Sequence, residues 1–105
     1  MVGVRLSDIH GRCVFANVAI PEGSELVCDV LLTKGDDLKD YQYPWGKGIS
    51  SICMGFGSFL NHSSTDFNLR IYRIDKTHLT KYFVATRDIE IDEELLINYG
   101  RKLTI

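Results

Sequence analysis

The 105-residue sequence has little with which to fix a structure by covalent or metallic cross-links. Its three cysteines, Cys13, Cys28 and Cys53, are odd in number and far apart. They make no CxxC pair and no zinc-ligand spacing, which excludes a disulfide scaffold and a zinc finger. They are expected to act as small core residues of a reduced, intracellular protein, cytoplasmic or nuclear. No apolar run approaches the ~18 residues that a membrane span requires. The opening MVGVRLSDIH has no basic segment followed by an apolar stretch, so neither a membrane partner nor a secretory leader is expected. A surplus of positive charge is also missing: 12 lysines and arginines stand against 14 acidic residues, net −2, and they are scattered. Direct nucleic-acid binding, which needs a basic face, is therefore not expected, whereas a basic protein partner remains compatible. GKGISS lacks the residue order of a phosphate loop.

What is present is the composition of an ordinary globular domain, 45% hydrophobic and 25% charged. The length suits one domain over residues 1–105. VGVRL, CVFA, ELVCDVLL, NLRIYRI, TKYFVA and ELLINY are β-prone runs separated by turn formers, which predicts a mainly β fold of several small sheets. TKGDDLKDYQYPWGKG is polar and turn-rich, and its proline and glycines argue against regular structure there. ISSICMGFGSFL can supply one or two helical turns interrupted by Gly55 and Gly57. ANVAIPEGSEL (16–26) and ATRDIEIDEEL (85–95) share Ala-x-x-x-Ile-x-x-[Gly/Asp]-x-Glu-Leu. Gly23 and Asp92 occupy the same place in these two corners, and both residue types tolerate a left-handed backbone.

The stretch FLNHSSTDFNL raises a conflict. Asn61-His62-Ser63 fits a glycosylation sequon, yet it follows the apolar, glycine-punctuated ICMGFGSFL, and no secretory route is expected. An asparagine beside a buried run needs hydrogen-bond partners; it could cap a turn through nearby backbone, or meet a ligand.

Four stretches, in order, settle the matter by resemblance. HGRCVFA resembles a Gly-x-Gly-Val-Phe-Ala segment, and DYQYPWG followed by MGFGSFLNHS resembles the approach to an Asn-His-Ser motif. FVATRDIEIDEEL is similar to an Ala-x-x-Asp-Ile-x-x-Gly-Glu-Glu-Leu turn, and LLINYG to a terminal segment carrying a tyrosine. Together they resemble the SET-domain family of protein lysine methyltransferases, in its small stand-alone viral and bacterial form, over nearly the whole chain. The resemblance implies a SET fold with a threaded, pseudoknot-like C-terminal segment, and S-adenosylmethionine as cofactor. It implies a lysine-bearing protein or peptide substrate such as a histone tail. Asn61 would hold the methionine amine and the His62 backbone would read the adenine edge. Gly11, Arg12 and Cys13 would line the methionine end. Tyr99 would place its hydroxyl beside both the methyl group and the attacking lysine, where fixed oxygen dipoles stabilise charge moving from sulfonium to amine. Tyr41 would be a second pocket tyrosine, or else a loop aromatic packed on Trp45. No metal is implied.

The pattern is not matched throughout. Cys13 stands where the family's second glycine usually sits, adding a side chain where backbone approach matters. NHSSTDFN is one residue longer than the family's motif, with Phe67 in place of proline before Asn68. These departures support an alternative: a SET-like module that binds a basic peptide with little or no catalysis. The acidic residues Asp88, Glu90, Asp92, Glu93 and Glu94 read first as a solvated turn, and secondarily as an attraction for a basic peptide. The cysteine-rich tail of larger family members is absent, so a second subunit is expected to close the lysine channel, giving a homodimer.

Overall fold

The computed structural model describes residues 1–7, 11–33, 42–46 and 49–98. Among these, β1 (Val2–Ser7) and β2 (Gly11–Ala16) form an antiparallel pair. A five-stranded sheet follows in the order β4-β5-β3-β8-β7, built from β3 (Glu25–Thr33), β4 (Gln42–Gly46), β5 (Ile49–Cys53), β7 (Leu69–Asp75) and β8 (Thr80–Ala85). The third sheet is a short parallel pair, β6 (Asn61–His62) with β9 (Leu96–Ile97). The mainly β architecture read from the β-prone runs is the one observed. In β3 the side chains alternate as a one-sided sheet requires: Leu26, Cys28 and Val30 face the core, whereas Glu25, Val27 and Asp29 face solvent.

Two local expectations are corrected. The turn-rich middle contains β4, which runs through Pro44. Proline withholds a donor from the ladder, but β4 is an edge strand, and its register shifts between Pro44 and Gly46. The helical insert has the expected one to two turns, but it begins at Gly55 and runs through Gly57 instead of being interrupted by them. Ile49–Cys53 is strand, because Ser51 and Cys53 face inward with a period of two, and only Gly55–Phe59 forms a 3-10 turn.

The repeated corners pair with each other about a local two-fold. Ile20 and Ile89 exchange both backbone hydrogen bonds at 2.8 Å. Gly23 donates to the Ala85 carbonyl at 2.9 Å, and Asp92, its counterpart, donates to Ala16 at 2.8 Å. Ala85 in turn donates to Ser24, and Ala16 to Glu93. Gly23 and Asp92 both adopt positive φ, 84° and 67°, as the shared corner requires. The apolar positions of the pattern, Ala16, Ile20 and Leu26 with Ala85, Ile89 and Leu95, are all buried. The repeat is thus a single packing unit made twice.

Segment 94–97 passes between the two arms of loop 61–68. On one side β9 pairs with Asn61 and His62, and the Ser63 amide donates to the Ile97 carbonyl at 3.0 Å. On the other, Asn68 closes around Leu96: its amide donates to the Leu96 carbonyl at 3.0 Å, and its Oδ1 accepts the Leu96 amide at 2.9 Å. Asn68 is fully buried, and its Nδ2 reaches the Glu94 carbonyl and the Glu93 carboxylate. This is the threading implied by the sequence resemblance.

The core runs from Val14 and Ala16 through Leu26, Val30, Trp45, Leu60, Phe83 and Ile97. All three cysteines are buried thiols outside any disulfide, as expected of small core residues. Cys28 and Cys53 flank Gly57, where a Cβ would lie 2.6 Å from that of Cys53 and 2.9 Å from the Cys28 sulfur. A hydrogen bond with Cys53, together with burial, pushes the Cys28 thiol well above its ordinary pKa. Among the described residues, one charged side chain is sealed in the core. Lys81 is 1% exposed, with Nζ 2.9 Å from Ser51 Oγ and 3.9 Å from the centroid of the Tyr43 ring.

Candidate functional site

The parallel pairing of β6 with β9 brings Asn61-His62 against the chain that leads to Tyr99, from positions 35 residues apart in the register Asn61↔Leu96 and His62↔Ile97. The antiparallel contact of Phe15 with Glu94 brings β2 to the same place. Three distant pieces of sequence therefore meet at one point, and Asn61 is their junction. Its Nδ2 lies 2.9 Å from the Arg12 carbonyl and 2.9 Å from Glu94 Oε2. Both neighbours are pure acceptors, so the amide nitrogen must face them. Asn61 is half-buried, and Arg12 and His62 are exposed.

Gly11 has a φ of 73°, so its place at the rim depends on a conformation that favours glycine. Arg12 contributes its carbonyl, and its guanidinium lies 5.2 Å from the centre of the Phe59 ring. Cys13 does not narrow the rim as its side chain suggested. It is fully buried, with Sγ 3.4 Å from the Arg5 carbonyl across the β1–β2 pair. The longer Asn-His-Ser loop is absorbed locally, where Ser63 Oγ accepts the amides of Thr65 and Asp66. Neither departure disturbs the Asn61 contacts. Tyr99 and Tyr41, the two tyrosines singled out in the sequence, lie outside the described residues.

The acidic turn needs correction. Asp88 and Asp92 are exposed, although Asp88 accepts the Glu22 amide and Asp92 pairs with Arg5 at 3.0 Å. Glu93 and Glu94 are not surplus charge. Glu93 accepts from Arg87, Asn68 and the Glu90 amide. Its partial burial would raise the carboxyl, but the Glu90 amide, Arg87 and Asn68 together hold it below its ordinary pKa. Glu94 and Asn68 were not read as site residues. The available signal was that both lie inside the motifs already quoted, Asn68 seven residues after Asn61 and Glu94 three before Ile97; which backbone groups they serve depends on the threading, which composition does not reveal.

A carbonyl, a carboxylate and an oriented carboxamide make an oxygen-rich corner, suited to a cationic amine and poorly suited to an anion. This donor set fits the amino group of S-adenosylmethionine, with Arg12 and Asn61 as the residues that would hold it.

The chain as a whole is similar to several known proteins. A Schizosaccharomyces pombe protein, the H3 lysine-37-specific histone-lysine N-methyltransferase, is 29% identical over 112 residues, covering 95% of this chain and 74% of its own length. The crystal structure of a candidate histone methyltransferase from Plasmodium falciparum matches with a TM-score of 0.79 at 25% identity, covering 96% of this chain and 94% of that one. KRYPTONITE, solved in complex with mCHG DNA and SAH, matches with a TM-score of 0.71 at 25% identity, covering 97% of this chain and 24% of its own. Residues 11–100 match the SET domain itself, and the chain belongs to the SET-domain family.

Proposed function

We propose that this chain is a protein lysine methyltransferase that uses S-adenosylmethionine and acts on a lysine in a basic segment such as a histone tail. The observation that carries the reading is the junction at Asn61, where β2, β6 and segment 94–97 converge on an acceptor-rich corner. Membership of the SET-domain family supports the reaction class. The activity named for the S. pombe relative supports the substrate class, and the SAH bound to KRYPTONITE supports the cofactor.

When bound, S-adenosylmethionine supplies the activated methyl group. The chain's own part is to hold and orient. Asn61 and the Arg12 carbonyl take the amine end, while Gly11 and Cys13 frame the backbone beside it. The His62 backbone takes the adenine end. Tyr99, two residues beyond β9, is the proposed catalytic hydroxyl, and Tyr41 the second pocket tyrosine. The proposal includes a single domain over residues 1–105 and a homodimer. The apolar side chains of Val4 and Leu6 on β1, Leu6 being 84% exposed, support self-association, which light scattering at micromolar concentration tests.

The decisive experiment is transfer of labelled methyl from S-adenosylmethionine to a panel of histones and to whole lysate. Label on a lysine is expected. Cofactor binding without transfer to any protein favours the peptide-binding alternative, and absence of both overturns the reading.

A further inference from the structure

The geometry points to Glu94 as the positioning residue of the cofactor site, one that fixes which face of the Asn61 amide meets the ligand. This rests on the cofactor reading above and deepens it. A carboxamide carries a donor end and an acceptor end of nearly identical shape, and a half-buried asparagine can present either one. In this chain the choice is made from one side. Nδ2 is shared between Glu94 Oε2 and the Arg12 carbonyl, both at 2.9 Å. With the nitrogen so engaged, Oδ1 becomes the end offered to a ligand, and an amide oxygen accepts from an ammonium where an amide nitrogen would repel it.

Glu94 is itself held in place. Its neighbours in the chain are anchored on both sides, Glu93 by Arg87 and Asn68, and Leu95 by a 2.8 Å hydrogen bond to the Val14 carbonyl. The Glu94 carbonyl accepts from Nδ2 of the buried Asn68 side chain at 2.8 Å. The carboxylate is thus delivered to Asn61 by the same threading that forms the fold. A charge-assisted contact made by an anchored residue is stronger than a neutral one and costs little further order. Glu94 does not touch the ligand in this proposal; it acts through Asn61.

The test uses two probes that differ only at the end in question. S-adenosylhomocysteine has the amino-acid moiety, and methylthioadenosine shares its adenosine thioether but lacks that moiety. Two conservative variants separate the hydrogen bond from the charge. Glu94→Asp keeps the charge but shortens the reach by one methylene, whereas Glu94→Gln keeps the reach and an acceptor oxygen but removes the charge. Calorimetry on the full chain should show Glu94→Asp weakening S-adenosylhomocysteine about ten-fold or more, the loss expected for a charge-assisted hydrogen bond. Methylthioadenosine should stay within about two-fold, and Glu94→Gln, which keeps a neutral hydrogen bond at the same reach, should recover part of the loss. Adding Asn61→Ala to Glu94→Asp should cost little beyond Asn61→Ala alone, because the two act as one unit. Equal weakening of both probes overturns the proposal in favour of a structural role. Loss in Glu94→Gln with retention in Glu94→Asp overturns it in favour of a direct charge effect. A parent protein that binds neither probe overturns the cofactor reading, and this proposal with it.

Discussion

Two asparagines seven residues apart, Asn61 and Asn68, should fail in opposite ways when truncated. Asn68 is 0% exposed and spends its whole side chain on the threaded strand. Nδ2 donates to the Glu94 carbonyl at 2.8 Å and to the Glu93 carboxylate at 3.1 Å, and Oδ1 accepts the Leu96 amide at 2.9 Å. Two neutral hydrogen bonds at about 1 kcal/mol each and one to a carboxylate at about 2 give roughly 4 kcal/mol. Asn68→Ala also leaves the Leu96 amide without its acceptor, so the figure is not reduced by rewetting. A domain of this size has only about 5–15 kcal/mol in hand. The variant should melt at least about 15 °C below the parent, with a matching fall in urea-derived stability. Asn61 is half-buried, and its partners at the rim can return to water. Asn61→Ala should therefore cost about 1 kcal/mol or less while removing most of the stabilisation that added S-adenosylmethionine confers on the parent. The measurements are urea unfolding for both variants and thermal shift with and without cofactor. If Asn68→Ala loses under about 1 kcal/mol, or Asn61→Ala loses as much as Asn68→Ala, the division of labour between the arms of the loop is wrong.

Gly57→Ala would force a Cβ to within 2.6 Å of the Cys53 Cβ, which is fixed to a strand backbone. Overpacking of this kind costs about 1–3 kcal/mol, and it threatens the 2.9 Å Tyr43 hydroxyl bond to the Gly57 carbonyl; a melting temperature unchanged from the parent would contradict the packing described. Acid should destabilise the fold through Glu93: its folded pKa is depressed, so its contribution is fully present above the ordinary carboxyl value of 4.5 and is lost as pH falls through the folded value. Asp75, depressed by the His78 amide and ring, acts in the same direction, so Glu93→Gln should flatten only part of the acid limb in unfolding followed against pH. Tyr99→Phe should lower methyl transfer far more than cofactor affinity, the mark of an interaction made mainly in the transition state; unchanged turnover would reduce Tyr99 to a structural role. Activity should rise with pH wherever the chain stays folded, because a lysine of pKa near ~10.4 must lose its proton to attack; a flat profile would place the rate limit elsewhere.

The sequence made some features legible because they are local. The β-prone runs ELVCDVLL and TKYFVA, set off by turn formers, identified β3 and β8, and the shared corner pattern placed Gly23 and Asp92 in the left-handed conformation they adopt. The juxtaposition of Asn61 with the LLINYG segment came from motif resemblance, since nothing in either stretch specifies a parallel pairing with the other. What was not legible depends on tertiary placement. Pro44 argued against a strand until β4 proved to be an edge, where a missing donor costs nothing. Glu93 and Glu94 looked like solvated charge because hydropathy does not show that side-chain amides from the two arms of a loop, Asn68 and Asn61, will reach their carboxylates. Lys81 occupies an inward position of TKYFVA that alternation marks as apolar, and only the fold supplies the Tyr43 ring and Ser51 hydroxyl beside it.

The passage of segment 94–97 between the arms of loop 61–68 also bears on how the protein opens. A strand of two residues would ordinarily fray, exchanging its amide protons through small local fluctuations. Here the Leu96 amide is held by a buried side chain from one arm, while the Ile97 carbonyl is held by the other arm. Neither can be released without withdrawing the strand from the loop, and that dismantles the contacts of β2 and the paired corners as well. Hydrogen exchange at Leu96 should accordingly track unfolding of the whole domain, at a rate comparable with the centre of β8. The corner at Asn61 then has no half-formed state: it is assembled when the last crossing is made and lost when that crossing is undone.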